Sequence, residues 1–168
     1  ISKTATGKYY ASILVGNDEV APTPTTIEPS LTVGIDLGIH HLLNLSDGSK
    51  VDNPKHLSKA SQRLSAQQKI FARKQKQSKN YQKQKRKVAR YHEKVANQRN
   101  DFLNKFSTDL IKNHDVICIE SLNTKGLLRN RKLAKSISDV SWSRFVTKLQ
   151  YKAEWYGRQV IPVDPWFP

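Results

Sequence analysis

Two carboxylates in this chain each follow a short apolar run. Asp36 lies near the end of the run at 31–37, between Gly34 and Gly38, and Glu120 closes the run at 116–119. Acids at the ends of neighbouring strands can together bind a divalent metal ion, and carboxylate oxygens suit Mg²⁺. The pair therefore predicts a partial metal site. Asp36 as a hydrogen-bonding residue of a turn and Glu120 as a loop cap is the alternative.

The segment between these acids is strongly basic. Residues 59–100 contain 14 Lys or Arg, the single acid Glu93, and neither Pro nor Gly, a composition that favours helix. Like charges at this density repel one another unless an anion offsets them, so we expect nucleic-acid contact rather than a solvated face alone. The expected contact residues are Lys69, Arg73, Lys74, Lys76, Lys79, Lys83, Lys85, Arg86, Lys87, Arg90 and Arg99.

Apolar positions within and after the basic segment predict two helices. They are sparse as far as Phe71 and regular from Val88 to Leu110, which predicts that one face of the second helix packs on a sheet. The polar residues 78–80 are the expected break of an antiparallel helical hairpin, and residues 113–114 should end the second helix. Helical spacing favours packing over base stacking for Phe71 and Tyr91.

Bulk composition limits the class of protein. The 168 residues suffice for one domain with a usable core, and 29 Lys and Arg against 14 Asp and Glu give a formal charge of +15, which favours an anionic partner. Apolar runs stay well short of the roughly 20 residues of a spanning helix, and no signal-like segment opens the chain. We therefore expect a soluble, cytoplasmic protein, with the lone Cys118 as a small buried side chain.

The remaining segments predict strands around the basic region. Residues 8–15 read as a strand with its partner upstream, and the Pro-rich residues 19–30 read as a linker. Residues 31–37, 42–45 and 49–51 predict three antiparallel strands. A buried strand at 115–120, a polar loop at 123–136, a helix from Trp142 to a terminating Gly157, and a strand at 159–163 should follow.

This order of elements is the layout of a ribonuclease H-like α/β fold, a mixed sheet with helices on its faces, here carrying a basic helical insertion. Three motifs narrow the comparison: Val-Gly-Ile-Asp-Leu-Gly at 33–38, Ile-Cys-Ile-Glu-Ser-Leu at 117–122 and Val-Asp-Pro-Trp-Phe-Pro at 163–168. Together they resemble the RuvC-type nuclease core of transposon-encoded TnpB proteins, relatives of the type V CRISPR nucleases.

The resemblance implies an RNA-guided DNA endonuclease with guide RNA and target DNA as partners. Asp36 and Glu120 correspond to the first two acids of a triad that binds Mg²⁺ or Mn²⁺. Residues 1–18 correspond to the terminal strand of an upstream barrel domain, 19–30 to a linker, and 31–168 to the RuvC-like core with its helical insertion at 55–113. The family continues into a zinc ribbon holding Zn²⁺ and then to the third catalytic aspartate, and this chain stops before both.

Two other classes of protein share parts of this pattern. Gly-Ile-Asp-Leu-Gly also resembles the phosphate-binding turn of actin-like ATPases, although Ile39-His40 stands where a Ser or Thr normally follows, and the second copy of that fold would need a longer chain. A non-catalytic nucleic-acid-binding module, with incidental acids, is the other. We expect His40 and His41 on a hairpin surface and Asp164 in a turn before Pro165.

Overall fold

The structure is a computed structural model that describes residues 1–16, 22, 26–127, 129–130 and 134–164. The chain divides into two compact units. The first comprises Ile1–Glu19 and His56–Asn100, and the second comprises Val20–Lys55 and Asp101–Pro168. None of the helices within the described ranges is long and apolar enough to cross a membrane.

The first unit opens with a short antiparallel strand pair, β1 (Ser2–Lys3) and β2 (Tyr9–Tyr10). The turn between these strands contains Gly7, whose φ of +92° is rarely adopted by residues that have a Cβ atom. The upstream partner predicted for the strand at 8–15 is therefore confirmed, but the predicted length is wrong. Residues 11–16 are exposed and form no strand, because among the described residues no neighbouring backbone pairs with them.

Two helices form the rest of the first unit. Helix α1 spans His56–Ala72 and α2 spans Lys79–Asn113, with residues 79–100 of α2 belonging to this unit. The Gln84 amide donates to the carbonyl oxygen of Gln67 at 3.1 Å, and the rings of Phe71 and Tyr81 lie 4.7 Å apart. These contacts confirm the predicted antiparallel hairpin.

The break between the helices lies at residues 73–78, a few residues before the predicted position at 78–80. Gln77 adopts a left-handed φ of +66°, which interrupts helical geometry, and the Ser78 hydroxyl then accepts a hydrogen bond from the Tyr81 amide at 3.1 Å. Such a bond caps a helix, because it satisfies an amide that has no intrahelical partner. Ser78 therefore caps the amino end of α2, which begins at Lys79.

Glu93, the one acid of the basic segment, stabilises the first unit. Its carboxylate accepts a hydrogen bond from the Thr6 hydroxyl at 3.1 Å and forms an ion pair with Lys8 at 3.2 Å. Both partners come from the turn between β1 and β2. Glu93 thereby attaches the strand pair to α2, and its negative charge is paired with Lys8 of the same unit.

The second unit contains a five-stranded mixed sheet. Its strands are β3 (Thr32–Leu37), β4 (His41–Leu45), β5 (Lys50–Asp52), β6 (Val116–Glu120) and β7 (Gln159–Val163), in the spatial order β5-β4-β3-β6-β7. The first three are antiparallel neighbours, as predicted, and β6 and β7 run parallel to β3. The mixed sheet confirms the α/β class.

Helices pack on one face of this sheet. Residues 101–113 of α2, α4 (Ala134–Val140) and α5 (Trp142–Tyr156) contribute buried side chains to a core shared with the strands, among them Leu103, Ile111, Phe145 and Leu149. The end of α2 at Asn113 and the left-handed Gly157 after α5 are confirmed. The predicted polar loop at 123–136 is wrong in part, because α3 (Thr124–Leu127) and the start of α4 lie within it.

The other face of the sheet is more open. On β6, Ile117 and Ile119 are buried, whereas Cys118 and Glu120 are half-buried. The prediction that β6 is buried on both faces is therefore wrong toward its carboxyl end. Val116, Ile117 and Ile119 are buried, which accounts for the largely apolar sequence of β6.

Asp115 joins the amino-terminal ends of the three parallel strands. Its amide donates to the carbonyl oxygen of Leu31 at 2.8 Å, its carbonyl oxygen accepts from the Gln159 amide at 2.9 Å, and its buried carboxylate pairs with Arg158. Pro29–Leu31 form a short 3-10 turn at the end of the predicted linker, whose residues 19–21 and 23–25 lie outside the described ranges.

Gly38 permits the tight connection between β3 and β4. A Cβ at this position would lie 2.5 Å from the carbonyl oxygen of His41. We expect Gly38→Ala to destabilise the fold by about 1–3 kcal/mol, because the backbone must shift to relieve the clash. Urea unfolding followed by circular dichroism measures the effect. Gly16→Ala is the matched control, since a Cβ added there would have nothing within 4 Å, and an equal loss in both variants would contradict the prediction.

Candidate functional site

Parallel pairing brings the two predicted acids together. The register of β3 with β6 pairs Gly34 with Cys118 and Ile35 with Ile119, so Asp36 and Glu120 are the next residues along the two strands. Side chains in register on adjacent strands point to the same face, and this face is the open one. The structure therefore places both carboxylates side by side at the carboxyl end of the parallel strands.

A cross-strand amide orients Asp36. Asn44 lies directly opposite Asp36 in the antiparallel pair of β3 and β4, and its Nδ2 donates a hydrogen bond to Asp36 Oδ2 at 2.9 Å. This hydrogen bond engages one oxygen of the Asp36 carboxylate. It thereby restrains the orientation of the whole group, including the second oxygen, Oδ1. Sequence reasoning did not identify Asn44. The signal that could have found it is its place opposite Asp36 across the hairpin.

The surroundings of Glu120 disfavour the charged form of its carboxyl group. Burial raises the pKa of the Glu120 carboxyl above its ordinary value, and the neighbouring Asp36 carboxylate raises it further. On its other side Glu120 pairs with Val163 of β7, which offers no compensating charge. A cation between the two carboxylates would remove their repulsion.

Among the residues that the structure describes, the side chains around the acid pair provide no complete metal cluster. Within the described part of the chain, no group of three or more His, Cys, Asp or Glu residues is placed to hold a metal ion. His41 pairs with Asp52 at 2.9 Å on the hairpin surface and His40 is exposed, as expected for both. Asp164 is exposed directly after β7, and the turn predicted at Pro165 lies outside the described residues.

The basic side chains predicted to contact nucleic acid lie on the helical hairpin of the first unit. All are exposed except Arg99, which is half-buried on the side of α2 that bears Tyr91 and Val95. Six of them line one groove, which we call the basic groove: Lys74, Lys79, Lys83, Arg86, Lys87 and Arg90.

The basic groove follows from helical spacing. From Lys79 to Arg90 its α2 residues recur mainly at steps of three and four, which places them on one side of the helix. Lys85 falls outside this series, and Lys69, Arg73 and Lys76 are exposed elsewhere on the hairpin. Gln and Asn are the other side chains that line the groove.

A second basic pocket of the hairpin was missed. Lys59 and Arg63 of α1 and Lys94 of α2 line it, together with His56 and Tyr91. Lys59 and Arg63 are four residues apart on one helix, a spacing that could have indicated a shared face. Their proximity to Lys94 depends on how the two helices pack.

Comparison with known families identifies the chain. The family model OrfB_IS605, described as "Probable transposase", matches residues 13–131, and the model described as "Cas12f1-like, TNB domain" matches residues 142–167. The chain belongs to the OrfB_IS605 family. It is thus a TnpB-type protein, as the motifs around Asp36 and Glu120 predicted.

Curated relatives of this TnpB-type chain carry related names. One, from Streptomyces pristinaespiralis and named "Putative RNA-guided DNA endonuclease", is 42% identical over 100% of this chain and 41% of its own length. InsQ of Escherichia coli K12, with the same description, is 35% identical over 95% of this chain and 42% of its own length. The chain spans about two fifths of the length of these relatives.

Solved structures share the fold of this TnpB-type chain. A Cas12f1 complex with single guide RNA and target DNA matches with a TM-score of 0.54 and 14% identity, covering 84% of this chain and 37% of that one. A CRISPR-Cas12f ternary complex matches with the same TM-score and 17% identity, covering 89% and 31%. At these identities the likeness concerns the fold alone.

The proximity of the two acids predicts a measurable coupling. We expect Asp36→Asn to lower the pKa of Glu120 while leaving it above its ordinary value, because burial, the larger cause, remains. Carbon-13 NMR titration of the glutamate carboxyls, in metal-free buffer, measures the shift. Asp52→Asn is the control, because Asp52 pairs with His41 on the hairpin surface.

The same pKa shift sets the sign of a stability effect. A carboxyl whose pKa is higher in the folded than in the unfolded state binds more protons when folded, so stability falls as pH rises from the unfolded value through the folded one. Glu120→Gln should flatten this part of the profile of stability against pH.

For the coupling between the two acids, an unchanged pKa of Glu120 in Asp36→Asn would contradict the prediction.

Proposed function

We propose that the chain is the RuvC-like catalytic core of a metal-dependent, RNA-guided DNA endonuclease of the TnpB type. The observation that carries this proposal is the placement of Asp36 and Glu120 side by side on adjacent parallel strands. Two acids in that position are costly for the fold and suited to a divalent cation. The names of the curated relatives support the same activity.

The topology of the second unit supports a ribonuclease H-like core. Three antiparallel strands, a helical segment, a central parallel strand, a helix and a further parallel strand occur in the order expected for that fold. In this scheme the core occupies 31–168, the helical insertion 55–113, and residues 1–18 end an upstream barrel domain.

Asp36 and Glu120 would hold Mg²⁺ or Mn²⁺, both of which accept hard oxygen ligands. When bound, the metal would supply charge neutralisation and an activated water for phosphodiester hydrolysis. Asn44 would act as a positioning residue that keeps the Asp36 carboxylate in one orientation. The third acid of the site would come from the segment that, in the family, follows the zinc ribbon and its Zn²⁺.

The basic groove would hold guide RNA, target DNA or their hybrid through backbone phosphates. Its six cations are exposed, and Gln and Asn, not acids, fill the space between them. Lys and Arg contacts to phosphates carry affinity without sequence information. In guided systems base pairing supplies the sequence information, so a groove of this composition suffices.

The metal site can be tested by titration with Mn²⁺. We expect isothermal calorimetry to detect weak binding to the wild-type chain, and Asp36→Ala and Glu120→Ala each to weaken it by at least about tenfold, because each removes a ligand. Asn44→Ala should weaken it less. Asp52→Ala is the control, since that carboxylate is exposed on the hairpin and paired with His41.

Identical isotherms for wild type, Asp36→Ala and Glu120→Ala would exclude the metal site. They would favour the alternative of a non-catalytic nucleic-acid-binding module, in which only the hairpin acts. ATP binding by the chain would instead favour the actin-like alternative for the turn at 34–38. Sequencing the parent gene beyond Pro168 provides an independent check, because the family requires paired cysteines and a further Asp there.

The basic groove predicts a strong salt dependence. If about six phosphates are neutralised, the slope of log K against log salt should be about −5. The double variant Lys83→Gln/Lys87→Gln should reduce the magnitude of the slope by about 2 and weaken binding equally for unrelated sequences. Fluorescence anisotropy with a labelled RNA-DNA hybrid measures both.

Lys112→Gln is the control for loss of charge outside the groove, because Lys112 is exposed at the end of α2 in the second unit. The groove would be ruled out as the binding surface if this single change altered the slope as much as the double variant did.

A further inference from the structure

Helix α5 carries a row of cationic and aromatic side chains that the proposed site does not use. Arg144, Lys148, Tyr151 and Trp155 follow one another at spacings of four, three and four residues, which places them along one side of the helix. We call these four residues the α5 row. Arg144 and Trp155 are exposed, whereas Lys148 and Tyr151 are half-buried.

Trp155 is the most unusual member of the α5 row. Its side chain is 68% exposed, although burial of an indole is strongly favourable. Tyr151 contacts it edge to face, with ring centroids 4.7 Å apart and an interplanar angle of 65°. This contact limits the orientations of the indole and leaves the rest of its surface open. The indole would therefore lose little conformational entropy when a ligand stacks on it.

Arg144 and Lys148 contribute like charges one helical turn apart. Across the described residues, neither forms an ion pair with an Asp or Glu. Burial lowers the pKa of Lys148, and the neighbouring Arg144 lowers it further. Like charges at this spacing destabilise a helix, and an anion bound beside them would offset that cost.

Lys152 holds the α5 row in place and is not available to a ligand. Its buried ammonium donates to Asn104 O at 2.7 Å, Ser107 Oγ at 2.8 Å and Thr108 Oγ1 at 2.7 Å, which uses all three of its donors. Lys148 donates to Asn104 Oδ1. These bonds attach α5 to residues 104–108 of α2 within the second unit.

We propose that the α5 row is a second nucleic-acid contact, which binds a single strand by stacking a base on Trp155 and pairing phosphates with Arg144 and Lys148. Exposed aromatic rings beside cations are the combination that recognises unpaired strands, because every base has a face to stack. The row extends about 16 Å along the helix, enough for several nucleotides. The inference rests on the proposed function only for which strand occupies the row.

Intrinsic fluorescence and an abasic oligomer test this proposal. Binding of oligothymidylate or oligouridylate to the full chain should quench tryptophan fluorescence, and the preferred oligomer identifies DNA or RNA as the source. An abasic oligomer of equal charge should bind about tenfold more weakly, because it offers phosphates without bases. Trp155→Ala should remove both the quenching and the preference for bases, and Trp155→Phe should retain the preference.

Two further variants separate this contact from the basic groove. Arg144→Gln should weaken both oligomers alike, whereas Glu154→Gln, a charge change beside the row, should not weaken either. Lys83→Gln/Lys87→Gln should reduce affinity but leave Trp155 quenching in the bound state.

An unchanged preference for bases in Trp155→Ala would overturn the α5 contact while leaving the proposed function intact. Loss of self-association in Trp155→Ala, with nucleic-acid binding unaffected, would also overturn it and assign the row to a protein interface. If the wild-type chain binds neither single strands nor the RNA-DNA hybrid, both proposals fail.

Discussion

The parallel register of β3 and β6 is the constraint on which the candidate site depends. Side chains alternate between the faces of a strand, so a slip of one residue would move Asp36 or Glu120 to the helix-covered face. Asp115 opposes such a slip, because its backbone groups bond to residues preceding β3 and opening β7, and its buried carboxylate pairs with Arg158. Asp115, at the amino-terminal ends of the parallel strands, thus helps to define the relative positions of Asp36 and Glu120 at their carboxyl-terminal ends.

The acid pair and the basic groove each keep like charges close together. Burial and the neighbouring Asp36 carboxylate raise the pKa of Glu120, and the described residues that line the basic groove include six cations and no acid. Each arrangement costs stability in the free protein and becomes favourable when an ion of opposite charge binds, which is typical of binding sites. Glu93 shows the contrast, because its charge is paired with Lys8 and serves the fold.

Local signals explain which elements could be predicted. The bounds of β7, the end of α5 at Gly157 and the three antiparallel strands follow from turn residues and periodicity nearby in the chain. The errors concern segments that depend on distant partners. Residues 11–16 have strand-like composition, but no strand among the described residues pairs with them, and the polar sequence of 123–136 gave no sign of α3 or of α4, whose Ile137 and Val140 pack in the core.

The sequence by itself determined the types of the chemical groups and their positions within each element. Asp36 and Glu120 as strand-end acids, and the helical basic segment, required no knowledge of packing. Only the tertiary structure decided which elements became neighbours, and therefore that Asn44 bonds to Asp36, that Arg99 is half-buried, and that Trp155 is left exposed. Pairing between strands and burial of a helix face arise from contacts among residues that are far apart in the chain. The spacing of residues along the sequence does not encode these contacts.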